Sequence, residues 1–217
     1  MFVGHYGVSF AAKKFAPSVS LATLFIAVQL LDVGWSLLVL LGIEKVRIVP
    51  GITATNPLDL YYMPYTHSLV AALLWSGAAF VIYRLGMPRA PRSDALIVGG
   101  AVFSHWVLDF LVHRPDLPLY GDSAKVGMGL WNFPAFALAL EVALLFGGLW
   151  MYFRTGVTRR TGMIIFAVLM VALQVVVFFG PPPGSDRAAA MTALAGYAVF
   201  AAVIGLLERR HATAAPR

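Results

Sequence analysis

Hydrophobic residues in this chain gather into runs of about twenty, roughly 18–42, 65–84, 94–113, 130–153, 161–180 and 188–207. Coiled as helices, runs of about 20 residues match the apolar thickness of a bilayer. Chain breakers separate them, among them Pro50-Gly51, Asn56-Pro57, Met63-Pro64, Pro88, Pro91 and Pro181-Pro182-Pro183-Gly184. Such residues end helices and open turns. The pattern predicts an all-α fold, a polytopic membrane protein with about six transmembrane helices in a bundle. The first run is expected to stay in the protein. It is too long for a cleaved signal peptide, it carries Asp32, and no small-x-small cleavage site follows it.

Composition supports this reading. Of 217 residues, 60% are hydrophobic and 12% charged, against about 25% charged in an average soluble domain. Mean hydropathy is +0.81. No stretch is polar enough to form a separate soluble domain, so a single integral membrane domain is expected. Residues 1–153 carry the chemistry, and 154–217 read as two scaffold helices. There is no cysteine, which excludes disulfides, thiolate ligands and a cysteine nucleophile. The net charge of +6 comes from basic residues scattered over short loops. That is a topology signal, not a nucleic-acid surface. Of the 16 Lys and Arg residues, Lys45, Arg47, Arg114, Lys125 and Arg187 fall on one side of the predicted bundle and the rest on the other. By the positive-inside rule both termini are cytoplasmic, and the longer loops 43–64 and 114–129 lie outside.

Within the runs, polar residues are few and agree in depth. The third run contains Ser104-His105-Trp106-Val107-Leu108-Asp109-Phe110-Leu111-Val112-His113. His105, Asp109 and His113 recur every four residues, which places them on one broad helix face. With a rise of about 1.5 Å per residue, Asp32 and Asp109 lie roughly 21 and 22 Å from the inner starts of their spans. His67, in Tyr65-Thr66-His67-Ser68, sits just inside the outer end of the second span. Ionisable groups at membrane depth are costly and usually functional, and imidazole with carboxylate makes a good metal-ligand set. Asp32, His67, His105 and Asp109 are therefore candidate ligands. Thr66 and Ser68 are placed to hold the imidazole of His67.

The remaining candidates are less determined. His113 stands at the outer rim, as a third ligand, an acid–base group or a plain rim residue. Glu141 lies mid-span near the depth of the two aspartates, as a further ligand, a general base or a buried acid paired with another helix. His5 approaches the centre only if residues 2–12 dip back into the protein as a short helix. That lifts it about 12 Å above Lys13, near the centre without obviously reaching it. Asn132 reads as an N-cap of the fourth span with Pro134 in its first turn. Lys125 could draw an anionic substrate to the mouth, and Gln174 reads as glue between helices.

An early His, an Asp in the first span, Thr66-His67-Ser68 and then Ser104-His105 through Asp109 resemble the YdjM-like family of bacterial inner-membrane proteins, taken to be metal-dependent hydrolases. The resemblance covers roughly residues 1–153. The ligand order is also similar to that of zinc-dependent phospholipase C and related single-strand nucleases. Two features depart from these patterns: Asp32 is followed by Val33-Gly34 with no second acid, and position 137, four before Glu141, is Ala. The resemblance implies a multi-pass protein of the bacterial inner membrane holding one or two Zn²⁺ ions. His5, Asp32, His67, His105 and Asp109 would be ligands, with Glu141 or His113 as acid or base. The expected reaction is hydrolysis of a phosphoester or lipid-linked ester in the outer half of the bilayer. The rival expectations are a metal or proton transporter using the same residues, and a non-catalytic protein with a structural metal.

Overall fold

The computed structural model describes residues 1–157 and 160–212, with side chains to residue 209. Arg159 and Arg217, both counted with the inner basic residues, lie outside the described residues, as does the side chain of Arg210. Eight α-helices are described: α1 (Val3–Lys13), α2 (Leu21–Val28), α3 (Leu30–Leu40), α4 (Leu69–Gly86), α5 (Arg92–Val112), α6 (Pro134–Phe153), α7 (Thr161–Phe179) and α8 (Asp186–Ala212). The last five are long and apolar enough to cross a membrane, and α2 with α3 makes a sixth if taken as one bent span.

That first span is not continuous, as the hydrophobic run alone suggested. It bends by 55° between α2 and α3, with Gln29 at the break carrying non-helical torsions. The carbonyl of Val28, the last residue of α2, accepts a hydrogen bond from Nδ1 of His105 at 2.6 Å. A side chain inserted into the helical ladder is a recognised cause of a kink. Here the bend turns a backbone acceptor toward the centre of the bundle.

The helix at the amino end folds back into the protein. α1 is buried along most of its length and packs against α2, α5 and α6. At its crossing with α6 the backbones touch. A Cβ on Gly7 would collide with the backbone of Leu144, and a Cβ on Gly148 would collide with that of Gly7. Small residues at a crossing permit this approach in apolar surroundings. The start of α1 is held by α6 as well. Glu141 accepts from the backbone N–H of Phe2 at 3.1 Å and of Gly4 at 2.7 Å. A carboxylate there satisfies orphan N–H groups and opposes the positive end of the helix dipole. Gln174 on α7 accepts from Val3 N at 3.4 Å.

The loop 43–64 holds a feature that the all-helical reading lacks. β1 (Lys45–Ile48) and β2 (Leu58–Tyr62) form an antiparallel hairpin, with Arg47 opposite Asp59 and an irregularity between Lys45 and Arg47. It packs with segment 114–132 over one end of the bundle. Leu69 N bonds to Pro118 O at 3.0 Å, Thr55 to Trp131 O at 3.0 Å and Lys125 to Tyr61 O at 2.7 Å. Asn132 lies in a short 3-10 turn instead of capping α6, whose N-cap is Phe133 and which has Pro134 in its first turn.

Candidate metal centre

Under this cap, α1, α3, α4 and α5 bring their polar residues together. The α5 ladder supplies His105, Asp109 and His113, all buried. α3 supplies Asp32, the turn before α4 supplies His67, and α1 supplies His5. The rings of His5 and His105 stack with centroids 3.9 Å apart and planes 7° from parallel. The descent of α1 therefore carries His5 all the way into the cluster, further than helix length alone indicated.

Asp109 is the hub. Its Oδ1 meets Nε2 of His5 at 3.2 Å and the amine of Met1 at 2.6 Å. Its Oδ2 faces Nε2 of three imidazoles: His105 at 3.1 Å, His113 at 3.5 Å and His67 at 3.7 Å. Across from it, Oδ1 of Asp32 lies 3.3 Å from His67 Nε2 and 3.5 Å from His105 Nε2.

What the imidazoles do with their other nitrogen decides the chemistry. Nδ1 of His105 faces the carbonyl of Val28, which can only accept, so Nδ1 carries the proton. Nδ1 of His113 faces Asp116 Oδ1 at 2.8 Å. Arg114 donates to the other oxygen of Asp116 at 3.1 Å, and Asp116 is left to accept from that Nδ1. Nδ1 of His67 lies 2.8 Å from the hydroxyl of Thr66, and that hydroxyl donates to Glu44 at 2.7 Å. Thr66 is thus left to accept from His67. Burial raises the Glu44 carboxyl above its ordinary value, against the pull of His67 and of the Thr66 and Tyr65 donors. Three imidazoles, with Nδ1 so occupied, therefore turn Nε2 toward two carboxylates. An Nε2 without a proton sets acceptor against acceptor, a contact relieved by a proton on the ring or by a cation between them. Nε2 of His105 is buried and makes no hydrogen bond at all.

The spacing suits a cation. Two donor atoms bound tetrahedrally at about 2.0–2.2 Å are about 3.3–3.6 Å apart. The four separations of His67 and His105 from the two aspartates run from 3.1 to 3.7 Å. Metal-bound histidines typically donate their second N–H to a carbonyl or carboxylate, as His105 and His113 do directly and His67 does through Thr66. Among the described residues two groups could hold a metal ion: Asp32, His67 and His105, and His5, His105 and Asp109. They share His105.

Other candidates fall elsewhere. Glu141 spends its carboxylate on the backbone of α1, so it anchors the helix that delivers His5 and is not in either ligand group. Ser68 caps α4, accepting from Ala71 N at 3.1 Å, and does not touch the imidazole of His67. Lys125 is paired with Asp122 at 2.8 Å. His113 is buried against Trp131, ring centroids 4.3 Å apart, and is no rim residue. Two contributors had not been singled out. Glu44 holds Thr66 from the loop ahead of β1. Tyr197, on the supposed scaffold helix α8, donates its hydroxyl to Asp32 Oδ2 at 2.8 Å. A lone tyrosine in the small-residue stretch Ala195-Gly196-Tyr197-Ala198 was the available signal.

Fold and cluster together define a mostly helical chain, apolar enough for a membrane, whose buried His/Asp groups could hold a metal ion. In comparisons with known proteins, no family model, curated protein or solved structure matches the chain.

Proposed function

We propose that the protein is a membrane-embedded, metal-dependent hydrolase of a phosphoester or lipid-linked ester, acting in the outer half of the bacterial inner membrane with both termini cytoplasmic. The observation that carries this is the convergence of three imidazole Nε2 atoms on two carboxylates in a buried centre. His67, His105, Asp32 and Asp109 would hold the ion, with His5 beside them, and one or two Zn²⁺ suit a nitrogen and oxygen donor set of this kind. The resemblance in ligand order to zinc-dependent phospholipase C and the YdjM-like proteins points the same way.

A divalent cation held there supplies Lewis acidity, activating water at neutral pH and polarising a phosphoryl or acyl oxygen. His113 is the residue placed to move the proton. Asp116 fixes its Nδ1–H and leaves Nε2 directed into the centre. His113 takes a proton from the attacking water and returns it to the leaving alcohol oxygen, so the ester bond breaks with net addition of one water. Glu141 positions His5 through α1 and takes no part in proton transfer. Transport through the same residues would need a polar route to the opposite face. Below His105, the buried face of α5 is built from Val102, Ala101, Gly99, Val98 and Ala95, and turns polar only at Asp94 in its first turn.

The test is metal content and turnover of purified protein beside His105→Ala. Bound zinc lost in the variant, with turnover of one member of a phosphoester and lipid-ester panel, is the expected result. Absence of metal from both proteins, even after zinc addition, overturns the reading.

A further inference from the structure

The centre is closed on nearly every side. Above it, the cap packs Met63, Leu117 and Trp131 against the bundle, all buried. Beneath it, α1 fills the space with Tyr6 and Phe10, both fully buried. The imidazole side chains are 0–3% exposed and Asp109 is 2% exposed. Asp32 is the exception, with 16% of its side chain exposed. Its hydroxyl partner Tyr197 is likewise only half-buried.

Asp32 and Tyr197 lie on α3 and α8, two helices packed against each other. Tyr197 is 11 residues into α8, about 16 Å of helix rise from its start. Asp32 lies eight residues before the end of α3, about 12 Å of rise. On the proposed membrane placement both positions fall within the apolar stretch of their helices. The two helices show apolar side chains outward, Leu37 on α3 and Met191 and Val199 on α8. Among the described residues of the cluster the most exposed is therefore half of a polar pair, Asp32 with Tyr197, set in a wall of apolar side chains.

We infer that substrate reaches the centre sideways out of the bilayer, through the seam of α3 and α8 at Asp32 and Tyr197, and is therefore an amphiphile: a phosphoester carried on a lipid. Tyr197 is the first polar group that such a headgroup meets, and its hydroxyl exchanges Asp32 for the incoming oxygen. The substrate class rests on the hydrolase reading; the route does not.

The experiment uses the full chain reconstituted in vesicles of phosphatidylethanolamine and phosphatidylglycerol. They contain a phosphatidylglycerol with a photoactivatable diazirine near its headgroup. Cross-links are expected to concentrate on peptides from α3 and from α8 around Tyr197, above the level on α7. Ala193→Trp fills the same face one turn along α8 and is expected to abolish that excess while metal content and melting temperature stay at wild-type values. Ala193→Leu serves as a second, smaller block on the same face, so that the result does not rest on one bulky ring. Labelling of α3 and α8 no stronger than of α7, or indifferent to both blocks, overturns the inference. Seam labelling by a protein that turns over nothing sinks the hydrolase reading alone. Turnover without seam labelling sinks the lateral route alone.

Discussion

Two polar clusters sit at opposite ends of α1, and they are built on opposite logic. At the Lys13 end, donors meet acceptors. The ammonium of Lys13 spends its three protons on Glu208 at 2.7 Å, Pro17 O at 2.8 Å and Val19 O at 2.6 Å. The other oxygen of Glu208 accepts from Leu21 N at 2.8 Å, and Ser18 donates to Asp94 at the start of α5. At the His5 end, three imidazole Nε2 atoms point at carboxylate oxygens. The first cluster is complete as it stands and fastens helices. The second needs a proton or a cation between ring nitrogen and carboxylate, and its members are oriented by partners outside it. A buried polar group is therefore better judged by whether its neighbours complement it than by its burial.

The comparison can be broken most severely at its hub. Asp109→Asn is expected to reduce bound metal to background and to remove any rise in melting temperature on adding zinc, whereas Asp94→Asn at the other end leaves metal content unchanged. Equal metal content in wild type and Asp109→Asn would make the two clusters alike. Next in size is Glu44→Gln, which weakens the hold on Thr66 and through it on His67. Loss of an outer partner of this kind costs about 10–100-fold in metal affinity, readable by competition with a chelating dye. Glu141→Gln touches neither cluster's charges directly. It removes the anion that receives Phe2 N and Gly4 N, worth about 1–3 kcal/mol of unfolding free energy, and it loosens His5 in consequence. The smallest effect belongs to the self-sufficient cluster. Lys13→Met breaks a partly exposed ion pair and should cost about 1 kcal/mol or less, with no change in metal affinity in the same titration.

Legibility from sequence followed the range of the interaction. The every-fourth-residue ladder His105, Asp109, His113 is a property of one helix, so spacing alone displays it. Span lengths are equally local, and α5, α6 and α7 agree with the hydrophobic runs to within a few residues. The bend at Gln29 was hidden because it depends on His105, which lies on another helix. Tyr197 was hidden for the same reason: its partner is 165 residues away. Glu141 was seen at the right depth with its work left open between ligand, base and a buried acid paired with another helix, since depth does not tell which side of a helix a carboxylate faces. The hairpin 45–62 was passed over because its short alternation, Lys45-Val46-Arg47-Ile48, is faint beside twenty-residue apolar runs.

The grip of Glu141 on Phe2 and Gly4 also sets a schedule. These partners are 139 and 137 residues apart in the chain. At a synthesis rate of 5–20 residues per second, α1 waits on the order of ten seconds before the carboxylate that fixes it has been made. Gly148, where α6 receives the backbone of Gly7, is made later still. α1 is thus made long before the carboxylate that seats it. On the proposed reading an ion has that interval in which to arrive, and the seating of α1 closes the floor beneath it.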